Sequence, residues 1–157
     1  MKHVEMRENG AAYEHIFVAP LSGKVMRKFP FLLDPGATRT TINKSLLTKL
    51  GYTDDWISLS KIVLSDDEKP LLADGSKLDA YGIPAMRLTI DNHEILHNGY
   101  FLTSDNAPKL SFLLGVDILS YFDFSFRYSE WRVYYEFRKD KIIVPPIQGK
   151  NFAYEAK

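Results

Sequence analysis

The stretch FLLDPGATRTTI, residues 31–42, decides how this chain is read. An apolar run ends on Asp34, Pro35 and Gly36 turn the chain, and a threonine-rich segment leads into a helical pattern. Asp, Pro and Gly are common turn formers, so this stretch alone describes a strand that stops at a turn. It gains meaning from FLLGVDILSYFD at 112–123, where a second apolar run is followed by Gly115 and Asp117.

The bulk properties narrow the field. The chain has 157 residues, 45% of them hydrophobic and 25% charged, which suits one compact domain. A chain of this size buries roughly 68–70% of its unfolded surface without needing staples. Twenty basic residues balance twenty acidic ones, so nothing electrostatic favours nucleic acid or an anionic membrane as partner. The absence of cysteine excludes disulfides, thiolate metal sites and a cysteine nucleophile, and it fits a reducing compartment. The opening MKHVEMRENGAAYEH lacks the apolar centre of a signal peptide, and no apolar run nears the ~18 residues of a membrane span. The expectation is a cytoplasmic protein without membrane contact.

Strand patterns dominate. YEHIFVA (13–19) and VMRKFPFLLD (25–34) flank PLSGK and predict a hairpin. In TINKSLLTKLGY, Ile42, Leu46, Leu47 and Leu50 fall at helical spacing, with Thr41 or Asn43 as cap and Gly51 just past the end. WISLSKIVL (56–64) reads as a strand, and SDDEKP as a polar loop. Asp74-Gly75 predicts a hairpin tip between two extended arms, and IDNHE a second tight turn. A short helix is expected after Gly115. DFSFRY and WRVYYEFR then form strands joined by the turn Ser129-Glu130, with Trp131, Val133, Tyr135 and Phe137 on one face. Their aromatics read as core and interface. The tail, VPPIQGKNFAYEAK, reads as extended or mobile. Residues 1–12 read as an N-terminal extension, 13–138 as the domain and 139–157 as a C-terminal tail.

HEILH, residues 93–97, spells the His-Glu-x-x-His signature of zinc proteases. That chemistry needs a helix, where residues four apart lie about 5–6 Å from each other. Here the flanks are β-rich and turns bound the segment on both sides. On a strand His93 and His97 would stand about 13 Å apart and Glu94 would point away. One zinc ion cannot bridge them, and no third ligand follows. A zinc metalloprotease is the remotest reading, and no metal or other cofactor is expected.

Taken in order, the apolar run with Asp-x-Gly-Ala, the Asp-Gly hairpin and Leu-Leu-Gly-x-Asp resemble the retropepsin-like aspartic proteases over roughly residues 13 to 138. The resemblance implies a mostly β, single-lobe acid-protease barrel with one or two short helices. It also implies an aspartic endopeptidase that acts as a homodimer on peptide or protein substrates, each chain giving its Asp34. Gly36 would bring its amide to the carboxylate, Ala37 and Thr38 would line the cleft, and Asp74, Gly75 and Ser76 would form the tip of a flap. Gly115 would crowd against the active-site loop. Asp117 is expected to cap the short helix or to pair with a nearby cation.

One position departs from the family. Threonine or serine follows the catalytic aspartate there, and Pro35 follows it here. Proline removes both the hydroxyl and the N–H donor, while it keeps Asp34 extended. The alternative reading is therefore a retropepsin-fold module that has lost catalysis and serves dimerisation or peptide binding.

Overall fold

In the computed structural model, residues 1–22, 25–71, 74–106 and 112–138 are described, with the backbone of 151–152 and 155–156. The N-terminal segment carries β1 (Lys2–Glu5). It is followed by β2 (Tyr13–Ala19) and β3 (Arg27–Leu33), antiparallel from Tyr13 opposite Leu32 to Val18 opposite Arg27. Their alternation sends Glu14, Ile16, Val18, Phe29, Phe31 and Leu33 inward. Pro30 is tolerated in β3 for a positional reason. Two residues later, the Leu32 N–H reaches Phe112 O at 2.9 Å, so position 30 faces the same side just before a neighbour begins there.

The helical expectation over Ile42–Leu50 holds. α1 (Lys44–Lys49) starts at Asn43, whose side chain accepts the Leu46 N–H, and Gly51 follows its end at φ 93°. Ile42, Leu46, Leu47 and Leu50 are all buried.

The next segment corrects the strand expected over 56–64. Asp54–Ser60 is a helix, α2, and only Ile62 makes a β-bridge, to Gly82. Thr53 caps α2 by accepting the Trp56 N–H at 3.1 Å, and Asp54 and Asp55 fall in the first turn, where the helix dipole favours them. That start signal outweighs the alternation of the side chains. A 3₁₀ turn spans Asp66–Glu68.

β4 (Tyr81–Pro84) is followed by β5 (Arg87–Ile90) and β6 (His93–Ile95), the last two joined by Asp91-Asn92 at φ 48° and 64°. This is the tight turn the sequence predicts. β7 (Tyr100–Thr103) pairs with β4, and β8 (Leu113–Leu114) lies parallel to β3. α3 (Val116–Leu119) follows Gly115, then β9 (Phe122–Arg127) and β10 (Arg132–Phe137). The described residues thus hold three short helices, one more than expected, and a mostly β framework.

The main sheet runs β6-β5-β2-β3-β8. Thr41 continues it, bridging Leu113 of β8 on one side and Leu102 of β7 on the other, which carries the sheet on to β4. The sheet curls around Phe31, Ile42, Leu46, Phe101 and Leu114. A second sheet, β1-β10-β9, closes one end with Val133, Tyr135 and Phe122 turned inward. Trp131 departs from the face expected for it: it takes φ 55° in the turn and is 48% exposed. Most of the tail lies outside the described residues; Asn151–Phe152 and Glu155–Ala156 pair antiparallel. No helix among the described residues is long and apolar enough to cross a membrane.

Removing the cap that decides α2 tests this account. Thr53→Ala should lower stability by about 0.5–2 kcal/mol with an unchanged urea m-value. A variant as stable as wild type in urea titration would mean that packing of Trp56 and Ile57, not the cap, overrides the strand pattern.

Candidate active site

Asp34 stands where β3 leaves the sheet. Its N–H donates to Leu114 O at 3.0 Å, so the parallel neighbour β8 fixes the point of departure. The Gly36 N–H donates to Asp34 Oδ1 at 2.9 Å, and the Ala37 N–H to Asp34 O at 3.2 Å. A carboxylate held by a backbone amide two residues on is an Asx-type turn, and here it aims one oxygen back over its own loop. A Cβ at Gly36 would lie 3.2 Å from that oxygen, so the tight turn favours glycine. Asp34, Ala37 and Arg39 are partly exposed, and Pro35, Gly36 and Thr38 are exposed.

The loop is stapled from behind. The Val116 N–H donates to Ala37 O at 2.8 Å and the Asp117 N–H to Thr38 O at 3.3 Å. The Asp117 carboxylate receives the Thr40 N–H at 3.0 Å and the Thr40 hydroxyl at 2.7 Å. It also takes the Ile118 N–H at 2.9 Å, but Asp117 lies inside the first turn of α3, whose N-cap is Gly115 without a side-chain cap bond. The expected capping role is replaced by the bonds to Thr40. Gly115 lets the two segments meet: a Cβ there would sit 2.6–2.8 Å from the backbone N, C and O of Arg39. The crowding expected at Gly115 is thus present and backbone-to-backbone. Burial pushes the Asp117 carboxyl up to about 6, against the Thr40 and Ile118 donors and the Arg39 charge, which favour the ionised form.

Arg39, Thr40, Tyr100 and Tyr121 carry no motif in the sequence, and His97 enters there only through the zinc-like signature. Arg39 lays its guanidinium over the Tyr100 ring at 4.0 Å. The Tyr100 hydroxyl donates to Glu68, whose carboxylate also caps Ser65. Burial opposes ionisation of Glu68, yet the donors Tyr100 and Ser65 and the Arg39 charge keep it below the usual range. His97 faces the Tyr121 hydroxyl at 3.3 Å and is pushed down to about 4 by burial, with Arg39 adding to the effect.

The remaining sequence candidates lie elsewhere. Asp74, Gly75 and Ser76 form a turn in which Asp74 accepts the N–H and hydroxyl of Ser76 and Gly75 takes φ 88°. Leu71 and Lys77 bridge its arms, and Leu72 and Ala73 lie outside the described residues. The hairpin is present; the hydrogen bonds of its tip are internal, and none described joins it to Asp34. The zinc-like motif disperses. His93 stacks on Phe137 at 4.2 Å, Glu94 pairs with Arg87 at 3.2 Å, and His97 turns to Tyr121. Among the described residues no group of three or more His, Cys, Asp or Glu gathers for a metal.

The architecture that carries this site is similar to that of solved structures. A retropepsin-like aspartic protease from Rickettsia conorii matches at TM-score 0.55 and 20% identity, covering 84% of this chain and 86% of that one. The chain has the retropepsin-like fold. EIAV protease complexed with the inhibitor HBY-793 matches at TM-score 0.48 and 16% identity, over 69% of this chain and 84% of that one. The retroviral protease-like domain of Ddi1 from Leishmania major matches at 0.42 and 13%, over 82% and 95%. No family model matches the sequence, and neither does any curated protein.

In this retropepsin-like loop the buried Asp117 sets a pH signature. A carboxyl raised on folding contributes stability that is present below its unfolded value near 4 and lost as pH rises through about 6. Relative to Asp117→Asn, which cannot ionise, the wild type should therefore lose roughly 1–3 kcal/mol between pH 4 and pH 7. Urea titrations of both proteins at the two pH values check this. A difference that does not change with pH would place the titration elsewhere.

Proposed function

We propose that the chain is an aspartic endopeptidase acting as a homodimer. The observation that carries the proposal is the Asp34 carboxylate, held by Gly36 N–H at 2.9 Å on a partly exposed loop of a retropepsin-like fold. The chain supplies one Asp-x-Gly-Ala and no internal duplicate, so a carboxylate pair requires a second copy related by a twofold axis. Two carboxylates a few ångströms apart share one proton, because like charges that close do not both ionise. The ionised Asp34 takes a proton from a water held between them, and the water oxygen bonds to the scissile carbonyl carbon. Asp34 of the partner subunit, protonated, gives its proton to the carbonyl oxygen. When the tetrahedral intermediate collapses, Asp34 gives the proton it took from water to the nitrogen, the C–N bond breaks, and a hydroxyl of the intermediate returns its proton to Asp34 of the partner subunit as the new carboxyl group forms. Ala37, Thr38 and the hairpin tip Asp74-Gly75-Ser76 would hold an extended peptide by strand-like pairing. No cofactor takes part in this reading, and it places the activity in the cytoplasm.

A second reading rests on Pro35. It stands exposed beside Asp34 and offers neither hydroxyl nor N–H to a partner loop. The fold would then serve as a dimerisation or peptide-binding module without catalysis.

Digestion of a peptide library separates the two. Wild type should cleave, Asp34→Asn should not while keeping its fold and self-association, and a chelator should change nothing. Cleavage that survives in Asp34→Asn removes the aspartic mechanism, and a complete lack of cleavage by wild type favours the module.

Pro35→Thr returns a hydroxyl and an N–H to each chain at the twofold axis. At about 0.5–1.5 kcal/mol per hydrogen bond, a few of them would tighten a dimer by roughly 2–4 kcal/mol. Loss of proline frees the unfolded chain and costs about 0.4–1 kcal/mol per subunit, so hydrogen bonding should win. Sedimentation equilibrium should show tighter association. Unchanged association would mean that the two Asp34 loops do not face each other.

A further inference from the structure

We infer that Tyr100 is a positioning residue that couples the Asp74-Gly75 hairpin to the loop carrying Asp34. The inference rests on the protease reading for its kinetic consequence and on geometry alone for its mechanical one. Tyr100 opens β7 and touches three elements: the turn at Glu68, the strand β4 at Gly82 and the loop at Arg39. Its hydroxyl donates to Glu68, at the end of the 3₁₀ turn that precedes the first hairpin arm. That turn is tied to the second arm: Lys77 Nζ donates to Asp66 O at 2.8 Å, and the Leu78 N–H donates to Pro70 O at 2.8 Å. Glu68 itself is held, since its other oxygen takes the Ser65 N–H at 3.1 Å and the Ser65 hydroxyl at 3.0 Å. A displacement of the hairpin base is therefore felt at the Tyr100 hydroxyl.

The ring passes that displacement on. A Cβ at Gly82 would lie 2.6 Å from Tyr100 Cδ2, so the ring rests directly on the backbone of β4, the strand into which the second hairpin arm runs. The Arg39 guanidinium lies over the same ring at 4.0 Å. The Arg39 backbone has no slack, being packed against Gly115 and flanked by Thr38 and Thr40, both bonded to Asp117. The cation on the Asp34 loop is fixed at its root and reaches the Tyr100 ring. Hairpin base, Tyr100 ring, Arg39 and Asp34 loop thus form one continuous chain of contacts, with Tyr100 the link that a single substitution breaks.

Amide hydrogen exchange on the full chain tests the coupling without reference to activity. Tyr100→Phe keeps the ring and removes the donor to Glu68, and a hydrogen bond to a charged group makes about a tenfold difference in local opening. The Ser76 and Leu78 amides should exchange about tenfold faster, while buried amides of β2 and β10 stay unchanged and report that the fold is intact. Arg39→Met keeps the side-chain stem and lies on the other loop, yet it should accelerate the same two amides severalfold. Glu68→Ala should reproduce Tyr100→Phe, and Glu68→Gln, which still accepts the hydroxyl, should restore most of the protection. If the wild type cleaves peptides, Tyr100→Phe should raise KM severalfold and leave kcat within about twofold. Unaltered exchange at Ser76 and Leu78 in Arg39→Met overturns the coupling even if peptides are cleaved. A wild type that cleaves nothing, with exchange responding as described, overturns the protease reading and leaves the coupling standing.

Discussion

Gly115 and Arg39 approach so closely that no side-chain carbon fits between their backbones, and the site is built on that approach. The contact joins the start of α3 to the loop that follows Asp34. Once the two are in register, Asp117 receives both donors of Thr40, and Ala37 and Thr38 give their carbonyls to Val116 and Asp117. Thr41 then enters the sheet between β7 and β8, and the sheet curls. A larger residue at 115 would displace the loop, and with it the departure of Asp34 from β3.

Charge inside this arrangement is managed by one cation. Arg39 acts on Asp117, Glu68 and His97, three groups from three different parts of the chain. Two are carboxylates that it helps to ionise, and the third is an imidazole that it helps to keep neutral. The guanidinium is held over the Tyr100 ring, and a planar cation stacks on an aromatic face in a way that lysine does not reproduce. The same placement makes it a mechanical element, since the ring beneath it also touches the base of the hairpin.

Pro35 sits on the other side of the loop, where the fold leaves the surface open. The stapling from behind does not involve it, since those bonds run through Ala37, Thr38 and Thr40. What Pro35 changes is the set of donors offered outward. A fold that is complete without those donors can carry either a cleaving dimer or a binding module, and proline, which rigidifies the turn while removing its N–H, is compatible with both.

Much of the framework was legible because its signals are local. The alternation in YEHIFVA, the Asn43 cap with Gly51 beyond the helix, and the Asp91-Asn92 turn each depend on residues a few positions apart. So did the rejection of the zinc motif, since a strand period already separates His93 from His97. α2 was misread although its signal was local: the Thr53 cap and two aspartates outweighed an alternation that suggested a strand. Trp131 was misplaced because the turn before β10 takes it into a positive φ. Asp34 and Gly36 were visible as a motif, whereas the work of Thr40, Arg39 and Tyr100 was not. Thr40 meets Asp117 across 77 positions, and Tyr100 meets Glu68 across 32. The sequence by itself determined where strands, turns and caps lie, because those follow from neighbouring side chains and backbone dihedrals. Only the tertiary structure decided which polar groups share a buried carboxylate or an aromatic face, because that depends on segments brought together by the curl of the sheet.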